Sequence, residues 1–156
     1  MRYKGITNVD YLLRVFVITF AAIIPLLFYF IEGFKPSISS YWETPLQPIF
    51  IIGNATTSYF LYSLKNWKIS ASMLLLLTAF SITSYPMLHN IFAVCFFLSC
   101  LRPLYLNNHY KKVFFYIYLS SLPLLLINLF TFETVIILIL CVYHVDILNR
   151  LYLIKK

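Results

Sequence analysis

"YLLRVFVITFAAIIPLLFYFI", residues 11–31, carries a single charge, Arg14, across its whole length. A helix needs about 20 mostly apolar residues to cross a bilayer. Continuous apolarity of this kind lacks the period-2 alternation of a barrel strand. The stretch therefore reads as a membrane-spanning helix, and that reading decides the class of fold. The composition agrees: 62% of the 156 residues are hydrophobic and 11% are charged, with a mean hydropathy of +0.85. Soluble domains carry about a quarter charged residues, so a water-soluble core is excluded.

Five further apolar runs follow, at 48–64, 69–85, 88–101, 113–132 and 134–151. Together they predict a single all-α integral membrane helical bundle, residues 1–156, with six transmembrane helices. The fourth run is the shortest. It reads as a tilted helix, a re-entrant segment or part of a longer helix starting near Ser84. Losing it would put the termini on opposite sides. The fifth and sixth runs meet at Thr131-Phe132-Glu133-Thr134, which predicts a tight hairpin there.

Charge tests the count independently, because Lys and Arg gather on the cytoplasmic side. Six spans put Arg2, Lys4, Arg14, Lys65, Lys68 and Arg102 on one side, with Lys111, Lys112, Arg150, Lys155 and Lys156. Only Lys35 of the twelve falls on the other, beside Glu32, Glu43 and Glu133. Both termini are thereby predicted to be cytoplasmic, and the chain to sit in the inner (plasma) membrane. The net charge of +7 follows from topology and from attraction to anionic headgroups. It does not call for nucleic acid. No cleavable signal peptide is read at the N-terminus. Cys95, Cys100 and Cys141 all lie in apolar runs and read as buried, reduced thiols.

Between the first two runs stands "PSISSYWET", residues 36–44. Tyr41 and Trp42 suit an interfacial belt, and a short surface helix after Pro36 is expected. Ser37, Ser39, Tyr41, Glu43, His89 and Glu133 fall on one outer face and form a candidate outer site. A histidine with a carboxylate can act as a base or metal ligand, but these residues have no diagnostic spacing, so no catalytic or metal centre is assigned. Gly53-Asn54-Ala55-Thr56-Thr57-Ser58 makes the second run polar. Asn54, Thr56, Thr57 and Ser58 read as a hydrogen-bonding helix seam, with Thr78, Ser81, Thr83 and Ser84 opposite. A water-accessible path is the sharper reading of that seam. In the last run, His144 and Asp146 point about 200° apart. Asp146 is expected to pair with Arg14 as a structural ion pair, and His144 to face a neighbouring helix or the interface. His109 reads as solvated. Walker A, HExxH, GxSxG, voltage-sensor and potassium-filter sequences are absent, and no cofactor is called for.

Ser37-Ile38-Ser39-Ser40-Tyr41-Trp42-Glu43-Thr44 resembles a signature of small polytopic bacterial membrane proteins of unknown function. They carry Ser-Ile-Ser-x-Tyr-aromatic-x-Thr after the first helix and a histidine opening a later one, as His89 does. They are distantly similar to DRAM-like six-helix proteins. The resemblance covers about residues 15 to 100 and implies a compact helical membrane bundle. A charged Arg-Asp pair opens the second helix in those relatives, whereas Leu46-Gln47-Pro48 stands here.

Three classes of function follow from these readings. The first is a non-enzymatic membrane module that binds membrane lipids or a protein partner and assembles into a homo-oligomer. The second is a pore-forming or membrane-disrupting effector in stress or antiviral defence, built on the polar second run. The third is a lipid-directed enzyme using the outer Ser, His and Glu residues.

Overall fold

A computed structural model of the chain describes residues 8–64, 66–106 and 112–153. Arg2, Lys4, Lys65, Lys111, Lys155 and Lys156, on which part of the charge argument rests, lie outside those residues, as does His109. The described residues form seven α-helices and a 3₁₀ helix, with no strand among them.

Helix α1 (Asn8–Glu32) stops at Gly33, which adopts φ +75° while its N–H bonds the Tyr29 carbonyl at 3.0 Å. This left-handed C-terminal stop strains other L-residues and costs glycine little. The expected short helix after Pro36 is the 3₁₀ helix Ile38–Glu43. Helix α2 (Gln47–Tyr62) takes Pro48 in its first turn, where a missing N–H costs nothing.

Helix α3 (Lys68–Ala79) ends six residues before the predicted Tyr85. Phe80 is extended, the Ser81 hydroxyl accepts the Ser84 N–H at 3.0 Å, and Pro86 disfavours helix in Tyr85. Serine side chains that bond local backbone compete with the helix in this way.

Helix α4 (Pro86–Leu106) is longer than the 88–101 run suggested. Pro86 opens it in the favoured first position, and Pro103 sits inside it, fully buried. Arg102 and Pro103 look like a stop in the sequence, yet neighbouring helices tolerate an interior proline in a membrane helix.

The 113–132 run is broken. Helix α5 (Val113–Ser120) gives way at Pro123 to α6 (Leu124–Ile127), and Asn128 turns extended. Helix α7 (Leu129–Leu153) starts there, with Asn128 Oδ1 accepting the Thr131 N–H at 2.9 Å. That is the N-cap geometry that asparagine favours. The hairpin expected at 131–134 is thus corrected to Asn128, and those four residues belong to the start of α7.

Three helical stretches are long and apolar enough to cross a membrane: Val9–Glu32, Pro86–Leu106 and Leu129–Arg150. Helices pack on their chain neighbours from α1 through α5, α5 and α6 pack on α7, and α7 returns to α1. The main core joins Trp67, Leu74, Phe96, Leu104, Phe132 and Ile136. A second core lies under the 3₁₀ helix, where Phe28, Tyr41, Phe50 and Phe130 meet. Of the cysteines, Cys100 is buried, Cys141 half-buried, and Cys95 exposed on the outer surface of α4, so the buried reading fails for Cys95.

Gly53 sets the approach of α1 to α2. A Cβ built there would stand 2.5 Å from Ile24 Cδ1 and 3.4 Å from Phe20 Cε1. Small residues allow such contact between membrane helices. Gly53→Leu should therefore lower stability in detergent by about 1–3 kcal/mol through overpacking. Adding Ile24→Ala should recover part of that loss. A thermal melt in which the double variant shows no recovery would refute the contact.

Candidate functional site

The 3₁₀ helix is tied to the opposite end of the chain. The Phe130 N–H, open at the start of α7, donates to the Pro36 carbonyl at 3.1 Å. The Ile38 N–H donates to Glu133 Oε2 at 2.6 Å, a buried bond. Tyr41 donates its hydroxyl to the Gly33 carbonyl at 2.6 Å. These three bonds seat the segment between α1 and α7.

Beside this strap lies a cavity of about 370 Å³. Its polar lining residues are Ser37, Ser39, His89, Asn90 and Glu133, and its apolar ones include Phe97, Leu98, Leu122, Leu125 and Phe132. Ser37, Ser39, His89 and Glu133 are all buried, whereas Asn90, Leu98, Leu122 and Leu125 are exposed. The cavity thus joins buried polar residues to a mixed, mainly apolar surface beside α4 and α6.

Four of the six predicted outer-site residues, Ser37, Ser39, His89 and Glu133, line this one cavity. Tyr41 and Glu43 do not. The Tyr41 side chain is fully buried, with its ring 5.1 Å from that of Phe28. Burial holds its hydroxyl above the ordinary tyrosine range, so it stays a donor. This corrects the headgroup-anchor reading of Tyr41: the phenol finds its acceptor at the end of α1 and has no need of water. Trp42 packs edge-on to Phe50 at 5.7 Å. Glu43 accepts a hydrogen bond from Thr83, joining the strap to the loop after α3.

His89 is held in a defined tautomer. Its Nδ1 lies 2.7 Å from the Phe80 carbonyl. A carbonyl only accepts, so Nδ1 carries a proton and donates to it. That Nε2 is buried and finds no hydrogen-bond partner among the described residues. The bond also satisfies a carbonyl at the end of α3, one of the acceptors a helix terminus leaves open.

The four-residue seam on α2 is not a single surface. Asn54 and Thr57 line a separate cavity of about 100 Å³ together with Ile24, Leu74, Phe96 and His144. Ser58 donates across to the Ala71 carbonyl of α3 at 2.6 Å. Thr56 donates to the Ile52 carbonyl of its own helix at 2.7 Å. Across from α2, Thr78 also bonds its own helix, at the Leu74 carbonyl, 2.7 Å away. Helical spacing puts Asn54, Thr57 and Ser58 on one face, at i, i+3 and i+4, and turns Thr56 away from it.

The ion pair is likewise corrected. Arg14 bonds Asp10 at 3.1 Å, and Arg150 bonds Asp146 at 3.1 Å. Each charge closes a pair one turn away on its own helix, which needs no approach of α1 to α7 at that depth. His144 is buried, with its ring 4.6 Å from that of Trp67 and 5.3 Å from that of Phe60.

Among the described residues no three His, Cys, Asp or Glu side chains gather as a metal-binding group. Comparisons with protein-family models, curated proteins and solved structures return no match. The site therefore has to be read from its own chemistry.

The strap makes a direct prediction. Glu133→Gln keeps an acceptor for the Ile38 N–H and should change stability by less than about 1 kcal/mol, whereas Glu133→Leu leaves that amide unmet and should cost about 1–3 kcal/mol. Thermal melts of the two purified variants in one detergent check this. Indistinguishable melts would mean that the bond does not hold the strap.

Proposed function

We propose that this is a multi-pass inner-membrane protein that crosses the bilayer six times, with both termini cytoplasmic, and acts as a non-enzymatic lipid-binding module. The topology rests on the charge bias of the loops together with three membrane-length helices. The shorter segments need an argument of their own. At about 1.5 Å per residue, the 12 residues of α3 span about 18 Å, short of the roughly 30 Å of hydrocarbon. Irregular backbone completes such crossings where it is buried in protein or lines a cavity. Ile82 after α3, Leu122 in the α5–α6 break and Ser37 after α1 all line the larger cavity. The irregular ends thus gather at one place.

The observation that carries the lipid reading is the lining of that cavity: buried Ser37, Ser39, His89 and Glu133 beside apolar residues that include the exposed Leu98, Leu122 and Leu125. A headgroup and the upper part of an acyl chain suit such a mixed lining. The same geometry disfavours the enzyme alternative, because a Ser-His-acid relay places the acid at the far ring nitrogen. Here the Phe80 carbonyl occupies that position and Glu133 is engaged by Ile38. The pore alternative draws no support from Asn54 and Thr57, which line the small interior cavity.

Native mass spectrometry of the protein extracted in mild detergent tests the reading. One lipid per chain should be retained, and Ala93→Trp, which fills the wall between His89 and Phe97, should reduce retention about tenfold, worth about 1.4 kcal/mol. Unchanged retention in a folded Ala93→Trp protein would reject the cavity as the site. The same spectra report whether copies associate, the assembly part of the proposal. Reporter fusions at each terminus should both read cytoplasmic, and a split result would remove one crossing.

A further inference from the structure

We infer that the smaller interior cavity is a second binding site, which takes a small uncharged molecule with an apolar body and one hydroxyl group, such as a phenol. The cavity measures about 100 Å³ and lies among α1, α2, α3, α4 and α7. Every residue that lines it is buried or half-buried. No Lys, Arg, Asp or Glu is among them. An ion entering it would leave water and find no countercharge, so charged ligands are disfavoured.

Helix α2 brings polar groups to this apolar space. Phe50, Asn54, Thr57 and Leu61 recur at helical spacing and all line it, so Asn54 and Thr57 sit in the middle of the inward face. The hydroxyls around them have partners. Thr56 bonds the Ile52 carbonyl, Ser58 the Ala71 carbonyl and Thr78 the Leu74 carbonyl. On the α7 side, the Cys141 thiol bonds the Ile18 carbonyl at 3.5 Å. The side chains of Asn54 and Thr57 bond no described residue. The unmet polar groups of this part of α2 are thus the two on the cavity wall. His144 lines the cavity as well, but its Nε2 is buried and offers no contact.

A polar side chain in apolar surroundings is costly unless it is paired. A hydroxyl both donates and accepts, and so do an amide and a threonine. Residues three apart on a helix stand about 5–6 Å apart at Cβ, so one hydroxyl can bond Asn54 and Thr57 together. Ile24, Leu74, Phe96 and Leu140 then face the rest of the molecule, which suits a hydrocarbon body. An apolar cavity of about 150 Å³ admits benzene, so a single small ring is the upper bound here. Water is the competing occupant. About 10–15 Å³ of such space holds one water, which needs two to four polar partners. Two open side chains serve one water and leave most of the cavity apolar.

Phenol and benzene, close in size, isolate the hydroxyl. The purified full-length protein, with isotope-labelled Ile and Leu methyls in deuterated detergent, is titrated with each and followed by methyl NMR. Ile24, Leu74 and Leu140 report the cavity, whereas the exposed Ile23 and Leu75 report partition of the probe into the micelle. Phenol should shift the cavity methyls along a saturating curve, with an affinity about tenfold above that of benzene. Asn54→Leu and Thr57→Val should each lower the phenol affinity about tenfold and leave that for benzene nearly unchanged. Should one variant fail to fold, the other decides, and the wild-type comparison of the two probes stands without either. Equal affinities for phenol and benzene overturn the hydroxyl assignment. Shifts that stay linear, or that are confined to Ile23 and Leu75, mean partition into detergent only and overturn the site. The larger cavity shares none of the three reporter methyls, so neither failure bears on the lipid reading.

Discussion

Hydrocarbon offers no partner to a backbone amide or carbonyl, and this one constraint organises the fold. At several helix ends among the described residues, a specific group accepts or donates in place of water. Gly33 turns left-handed and closes α1 on itself. Asn128 caps α7 with its side chain. His89 donates to the carbonyl that ends α3. Glu133 accepts from the Ile38 N–H, and the Pro36 carbonyl accepts from the Phe130 N–H, tying the start of α7 to the strap after α1. Each lost bond would leave a polar group stranded, at a cost comparable to a sizeable share of a domain's net stability.

This constraint also explains what was legible in the sequence. The helices themselves follow from apolar runs, and α1 and α7 extend only a few residues beyond their runs, because length and composition govern them. The ends of the shorter helices were not legible. Pro103 looks like a terminator and is an interior residue, since neighbouring helices cover the gap it leaves. Asn128, unremarkable between Ile127 and Leu129, is the true corner because its side chain can replace a helical acceptor.

The candidate site was legible in part for a related reason. Topology alone puts Ser37, Ser39, His89 and Glu133 on one face, and the fold gathers them around one cavity. Tyr41 was misplaced because an amphipathic ring suits a headgroup belt and a buried hydrogen bond equally well. The choice between them was made by the Gly33 carbonyl, whose orientation depends on how α1 stops. Arg14 and Asp146 were paired on depth alone. Helical spacing offered each a nearer partner, Asp10 and Arg150, and an i,i+4 contact forms without any demand on tertiary packing.

A tension remains between the two histidines that shows where evolution of a site is separable from packing. His144 is buried among Phe60, Trp67 and Tyr143, and its aromatic contacts account for its presence as a large planar side chain. His89 has a different environment: one ring nitrogen bonds the Phe80 carbonyl and the residue lines a cavity with Glu133 and two serines, while Nε2 of both histidines is buried without a partner among the described residues.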